Sequence, residues 1–105
     1  MVNPADILTV ARLLAAVPGE AFARKAVSAA YYAAFAHAEA LGRVGARSQQ
    51  HGRVARYLRT THPAAAESLQ SLRVMRIEAD YLLLQDFEHN PVEACELAAT
   101  ILAVS

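Results

Sequence analysis

The chain has 105 residues, the length of one domain with one core, so a single domain over residues 1–105 is expected. Hydrophobic residues make up 55% of it and charged residues 19%, with four glycines and four prolines, which excludes a disordered, collagen-like or low-complexity chain. Ten basic and ten acidic residues cancel, so no global field draws the protein to nucleic acid or an anionic membrane, and any such binding must be local. Because 24 of the residues are alanine, the core is expected to be built from small side chains that let helices approach closely.

All segments read with helical rather than alternating periodicity. The first opens with Asn3-Pro4-Ala5-Asp6, an N-cap asparagine followed by proline at the first helical position, and stops at Pro18-Gly19. Its apolar residues Ile7, Leu8, Leu14 and Val17 fit one side. The second, about Glu20 to Leu41, is alanine-rich on nearly every face and carries Phe22, Val27, Tyr31, Tyr32 and Phe35, which predicts the central, most buried helix. A loop is expected around Gly42 to Arg47, then a helix capped by Ser48 and running to about Thr61. Pro63 starts a fourth helix expected to reach about Phe87, since no Gly or Pro interrupts it. Asn90-Pro91-Val92-Glu93 repeats the opening cap pattern and starts a last helix with Val92, Cys95, Ala99 and Leu102 on one stripe. The sum is an all-α, antiparallel up-and-down bundle of about five helices.

The longest charge-free run before Glu39, Ala26 to Ala38, is thirteen residues, short of the roughly twenty that span a bilayer. No membrane association is expected. The first twenty residues carry Asp6, Arg12 and Glu20, which does not fit a secretory signal. A single cysteine, Cys95, can form no internal disulfide, so a cytoplasmic setting is expected and Cys95 reads as a small core residue. Phosphate loops, GxSxG, HExxH and CxxC patterns are missing. His37, His51, His62 and His89 are too scattered to give two metal ligands from one turn, so neither a metal nor another cofactor is expected.

Charge is uneven along the chain. Arg43, Arg47, Arg53, Arg56 and Arg59 follow one another with no acid between them, and Glu78, Asp80, Asp86, Glu88, Glu93 and Glu96 with no base. The arginine run reads either as a phosphate-facing patch or as a solvated face that pairs with the acids. In the fourth segment, at about 100° per residue, Leu69, Leu72, Arg76, Asp80, Leu83 and Phe87 fall on one stripe. An arginine there needs a partner, and Asp80, one turn on, supplies it. The pair is either a buried structural ion pair or an arginine held rigidly to grip a phosphate. Arg24, Ser28, Tyr31 and Phe35 share a stripe of the second helix, so Arg24 also lies on an inward face. Arginines on apolar stripes of an alanine-rich bundle predict a twofold homodimer joining the second and fourth helices.

The run Ser28-Ala29-Ala30-Tyr31-Tyr32-Ala33-Ala34-Phe35, then His51-Gly52, then Leu72-Arg73 and Arg76-Ile77-Glu78-Ala79-Asp80-Tyr81 resemble the HEPN domains, over nearly the whole chain. The closest likeness is to the small stand-alone group with a tyrosine-tyrosine-alanine helix and an Arg-x-x-Ala-Asp-Tyr signature. The resemblance implies a dimerising helical bundle that binds RNA or nucleotide in its dimer cleft, paired with a minimal nucleotidyltransferase as toxin and antitoxin or in defence against phage. Many HEPN proteins are metal-independent ribonucleases with an Arg-x(4–6)-His motif. A histidine of pKa about 6.5 takes the 2′-hydroxyl proton there, and the arginine stabilises the phosphorane. Arg76 matches the arginine, but Tyr81 stands in the histidine's place, and a phenol of pKa about 10 is a poor base at neutral pH. Ala36 fills a second place where relatives carry histidine, and His37, the next residue, reads as a weak substitute or a surface histidine. Arg76 and Tyr81 are therefore the candidate chemical pair, and Arg24, Tyr31, Tyr32, His37 and Asp80 the candidate binding residues. The expectation is binding with slow or absent cleavage. The alternatives are an active endoribonuclease using Arg76 and a non-catalytic helical interaction dimer.

Overall fold

The computed structural model describes residues 2–42 and 51–104. Five helices and no strand are present among them: α1 (Pro4–Ala15), α2 (Glu20–Gly42), α3 (His51–Thr61), α4 (Pro63–Tyr81) and α5 (Pro91–Leu102). The loop expected at Gly42 to Arg47, the Ser48 cap, Arg43 and Arg47 lie outside the described residues, Gly42 itself excepted as the last residue of α2. No helix is long and apolar enough to cross a membrane.

The cap signals work as their chemistry dictates. Asn3 Oδ1 accepts the Asp6 N–H at 2.9 Å, and Asn90 Oδ1 accepts the Val92 N–H at 2.9 Å, each satisfying a donor that the first turn leaves orphaned. Between α1 and α2 the chain reverses through Gly19 at φ 118°, a left-handed conformation that a Cβ would strain. α2 is the central helix, in contact with each of the other four. Ala26, Ala30, Ala33, Ala34 and Ala38 on it are all fully buried, so its backbone comes close to its neighbours. Tyr31, Leu58, Leu72, Ile101, Val27 and Val54 fill the gaps as the largest fully buried side chains.

Four expectations need correction. α4 ends at Tyr81, not near Phe87, so Leu83 and Phe87 are not on its stripe. The cause is Arg24, whose guanidinium gathers carbonyls from the last turn of α4 and from the chain beyond it, giving that backbone an alternative to further helix. On α5 the buried stripe is Ala94, Cys95, Ala98 and Ile101, turned about 90° from the expected one and sharing only Cys95 with it, so Val92 falls on the exposed side. On α1 the buried residues are Leu8 and Ala11, and Val17 lies past the helix end, exposed. Phe22, expected inside with the rest of α2, is exposed near the helix start.

Candidate functional site

α2 and α4 run antiparallel, which brings Ser28 and Tyr32, one turn apart on α2, against Asp80 and Arg76, one turn apart on α4. Arg76 Nε lies 3.0 Å from Asp80 Oδ2, with side-chain exposures of 15% and 23%. The Nε–H does not point at the carboxylate and finds no hydrogen-bond acceptor, so this contact is Coulombic rather than a hydrogen bond. Ser28 Oγ donates to the same Asp80 oxygen at 3.1 Å. Arg76 Nη2 donates to Tyr32 Oη at 2.6 Å and, at a longer 3.4 Å, to Tyr81 Oη.

Three aromatic rings surround the guanidinium. Its carbon sits 5.8 Å from the Tyr31 centroid, 5.2 Å from Tyr32 and 5.2 Å from Tyr81. Each face offers negative quadrupole to the cation, an attraction of about 0.5–2 kcal/mol per ring. Tyr31 and Tyr32 meet edge to face at 5.7 Å, and Tyr31 stacks on Phe35 at 5.9 Å, so the cage rests on a packed aromatic column of α2. Tyr31 is buried, while Tyr32 and Tyr81 are 43% and 66% exposed, so the cage is closed at its base and open at its mouth.

Electrostatics keep the Arg76 guanidinium charged and the Tyr31 phenol neutral. Burial pushes the Tyr31 phenol up to about 12, with Arg73 and Arg76 pulling the other way, so it stays protonated at neutral pH. For Arg76 burial works against the charge, but Tyr32, Tyr81 and Asp80 outweigh it and its pKa rises. The site therefore offers a fixed guanidinium flanked by two accessible phenol rings, a combination suited to a phosphate with a planar base beside it.

The remaining predicted residues lie elsewhere. Arg24 is only 7% exposed and does not face the cage. Its Nη1 donates to the carbonyls of Glu78 and Ala79 at 2.9 and 3.1 Å, and its Nη2 to those of Leu82 and Gln85 at 3.2 and 2.6 Å. Glu20 supports it at 3.7 Å and also accepts the Phe87 N–H at 2.8 Å, and the Phe87 ring lies 5.0 Å from the guanidinium. Arg24 is thus the C-terminal cap of α4, a role sequence reasoning missed because it joins residues more than fifty positions apart. His37 Nε2 donates to the Val104 carbonyl at 2.6 Å, which ties α2 to the end of α5. His89 pairs with Glu78. No histidine hydrogen-bonds or ion-pairs with Arg76 among the described residues. Arg56 and Arg59 are exposed on α3, and neither is ion-paired to an acid among the described residues. Cys95 is buried, its thiol raised by burial and by Glu96 against the opposing pull of Arg12. No group of three or more His, Cys, Asp or Glu among the described residues is arranged to hold a metal.

No family model, curated protein or solved structure matches this chain.

Proposed function

We propose that this chain is a HEPN-like module that binds RNA or nucleotide through the α2–α4 face and acts, as a homodimer in the cytoplasm, beside a minimal nucleotidyltransferase in a toxin–antitoxin or defence pair. The observation that carries the reading is the Arg76 cage, with its cation fixed by Asp80 and Tyr32 and its mouth framed by exposed phenol rings. Phosphate meets the guanidinium as a charge-assisted hydrogen-bond acceptor, and a base stacks on Tyr32 or Tyr81.

Binding is favoured over cleavage because the groups around Arg76 are phenols, a hydroxyl and a carboxylate already paired with the arginine, with no imidazole bonded to it among the described residues. The test is incubation of end-labelled single-stranded RNA with the protein in chelator. The RNA is expected to be retarded on a native gel and recovered intact. Cleavage at a rate that Tyr81→Phe removes would establish the endoribonuclease reading instead. Tyr81→His places an imidazole beside Arg76 and is expected to raise any residual cleavage.

A further inference from the structure

A groove of about 560 Å³ runs between α4 and α5, on the side of α4 turned away from the cage. Val74 lines it and Arg76 does not, because two positions on a helix differ by about 200°. Met75 forms the buried floor, and Val74, 46% exposed, and the half-buried Leu97 of α5 form apolar walls. The rim carries the exposed carboxylates of Glu88 and Glu93, the polar side chains of Gln70, Ser71, Asn90 and His89, the last paired with Glu78, complete the lining, and no lysine or arginine is among them. Of the other acids between Glu78 and Glu96, Asp80 belongs to the cage on the opposite side of α4 and Glu78 pairs with His89, so the rim charge is that of Glu88 and Glu93.

An apolar trough under a carboxylate rim is complementary to one kind of guest, an amphipathic helix with apolar residues at i, i+3 or i+4 and i+7 and lysines or arginines flanking them. Nucleic acid and anionic membrane are repelled by the same rim. A second copy of this chain fits poorly: its basic helix α3 buries Val54 and Leu58 in its own core, so Arg56 and Arg59 come to the surface without an apolar anchor between them. We infer that the α4–α5 groove docks a basic amphipathic helix of a partner protein. The inference does not depend on what the Arg76 cage binds.

The test is an NMR titration of the labelled full chain with a synthetic helical peptide of about fifteen residues, leucine at i, i+3, i+4 and i+7 and lysine on the remaining face. Shifts are expected to gather at Val74, Met75 and Leu97. The double variant Glu88→Lys/Glu93→Lys should weaken binding at least about tenfold, the equivalent of ~1.4 kcal/mol, with the melting temperature held. Val74→Asp, at a second exposed position, should weaken it comparably. A peptide with glutamate for lysine should not bind, and one with alanine for leucine should bind at least about tenfold more weakly. The inference is overturned by absence of shifts at millimolar peptide, by equal binding of the alanine peptide, or by shifts confined to the α2–α4 face. It is equally overturned if the peptide-free protein self-associates and the double charge variant abolishes that association, since the occupant would then be a second copy.

Discussion

Arg24 and Arg76 are both inward arginines between α2 and α4, and the partners of each decide what it does. Arg24 makes four hydrogen bonds to backbone carbonyls in the last turn of α4 and just beyond it, where no further helical turn supplies a full set of donors. Arg24→Ala should therefore cost about 3–5 kcal/mol, with hydrogen exchange speeding up selectively from Leu82 to Asn90. Arg24→Lys should recover little, because an ammonium cannot reproduce the planar fork. Arg76 instead meets side chains that can adjust. Asp80→Ala is expected to destabilise by about 1–3 kcal/mol in a thermal melt, less than for a fully buried pair, since the three phenol rings go on stabilising the cation.

Tyr31 adds a pH dependence. With its folded-state pKa near 12 against about 10 unfolded, the folded state holds the proton more tightly, so its contribution is fully present below pH 10 and is lost as pH rises toward 12. Alkaline denaturation of wild type and Tyr31→Phe should differ by a slope over that window that the phenylalanine variant lacks, amounting to about 2 kcal/mol. Equal slopes would mean that the hydroxyl is not desolvated.

At the scale of elements, the helix starts were legible because capping is local: asparagine followed by proline marks α1 and α5, and Pro63 marks α4. The end of α4 was not legible. Residues 82–87 carry no glycine or proline, and what stops the helix there is a guanidinium from α2. The stripe of α5 was not legible either: apolar residues lie on both candidate faces, Val92 and Leu102 on one and Ile101 on the other, and the quarter turn between them is set by packing against the other helices. The Arg76–Asp80 pairing could be read from i,i+4 spacing, whereas Tyr31 and Tyr32 entered the candidate site only through the family resemblance. That Tyr32 and Tyr81 reach the same nitrogen of Arg76 could not be read, because it depends on the register of α2 against α4.

At the scale of the molecule, the α2–α4 side ends in Tyr81, Leu83 and Leu84, all exposed, with Leu84 fully so. Leu83 and Leu84, two and three residues past the cage residue Tyr81, are large apolar side chains in water, and their exposure supports the proposed homodimer. Light scattering at micromolar concentration should give about twice the 11.3 kDa chain mass, and Leu83→Asp/Leu84→Asp should return it to one chain with the melting temperature little changed. A monomer in the wild type would remove the dimer from the account and leave the cage as a site within one chain.

The central claim is that Arg76 is held for an anion and does not serve the fold alone. Fluorescence anisotropy of a labelled single-stranded RNA, titrated with wild type and with Arg76→Ala at about 50 and 200 mM salt, tests it most directly. The account predicts affinity that falls with salt, a loss of at least about tenfold in Arg76→Ala at the lower salt, a shallower salt slope in that variant, and near wild-type binding by Tyr81→Phe. Equal affinity and equal salt slope in wild type and Arg76→Ala, with a lowered melting temperature in the variant, would contradict the claim and make the cage a structural ion pair.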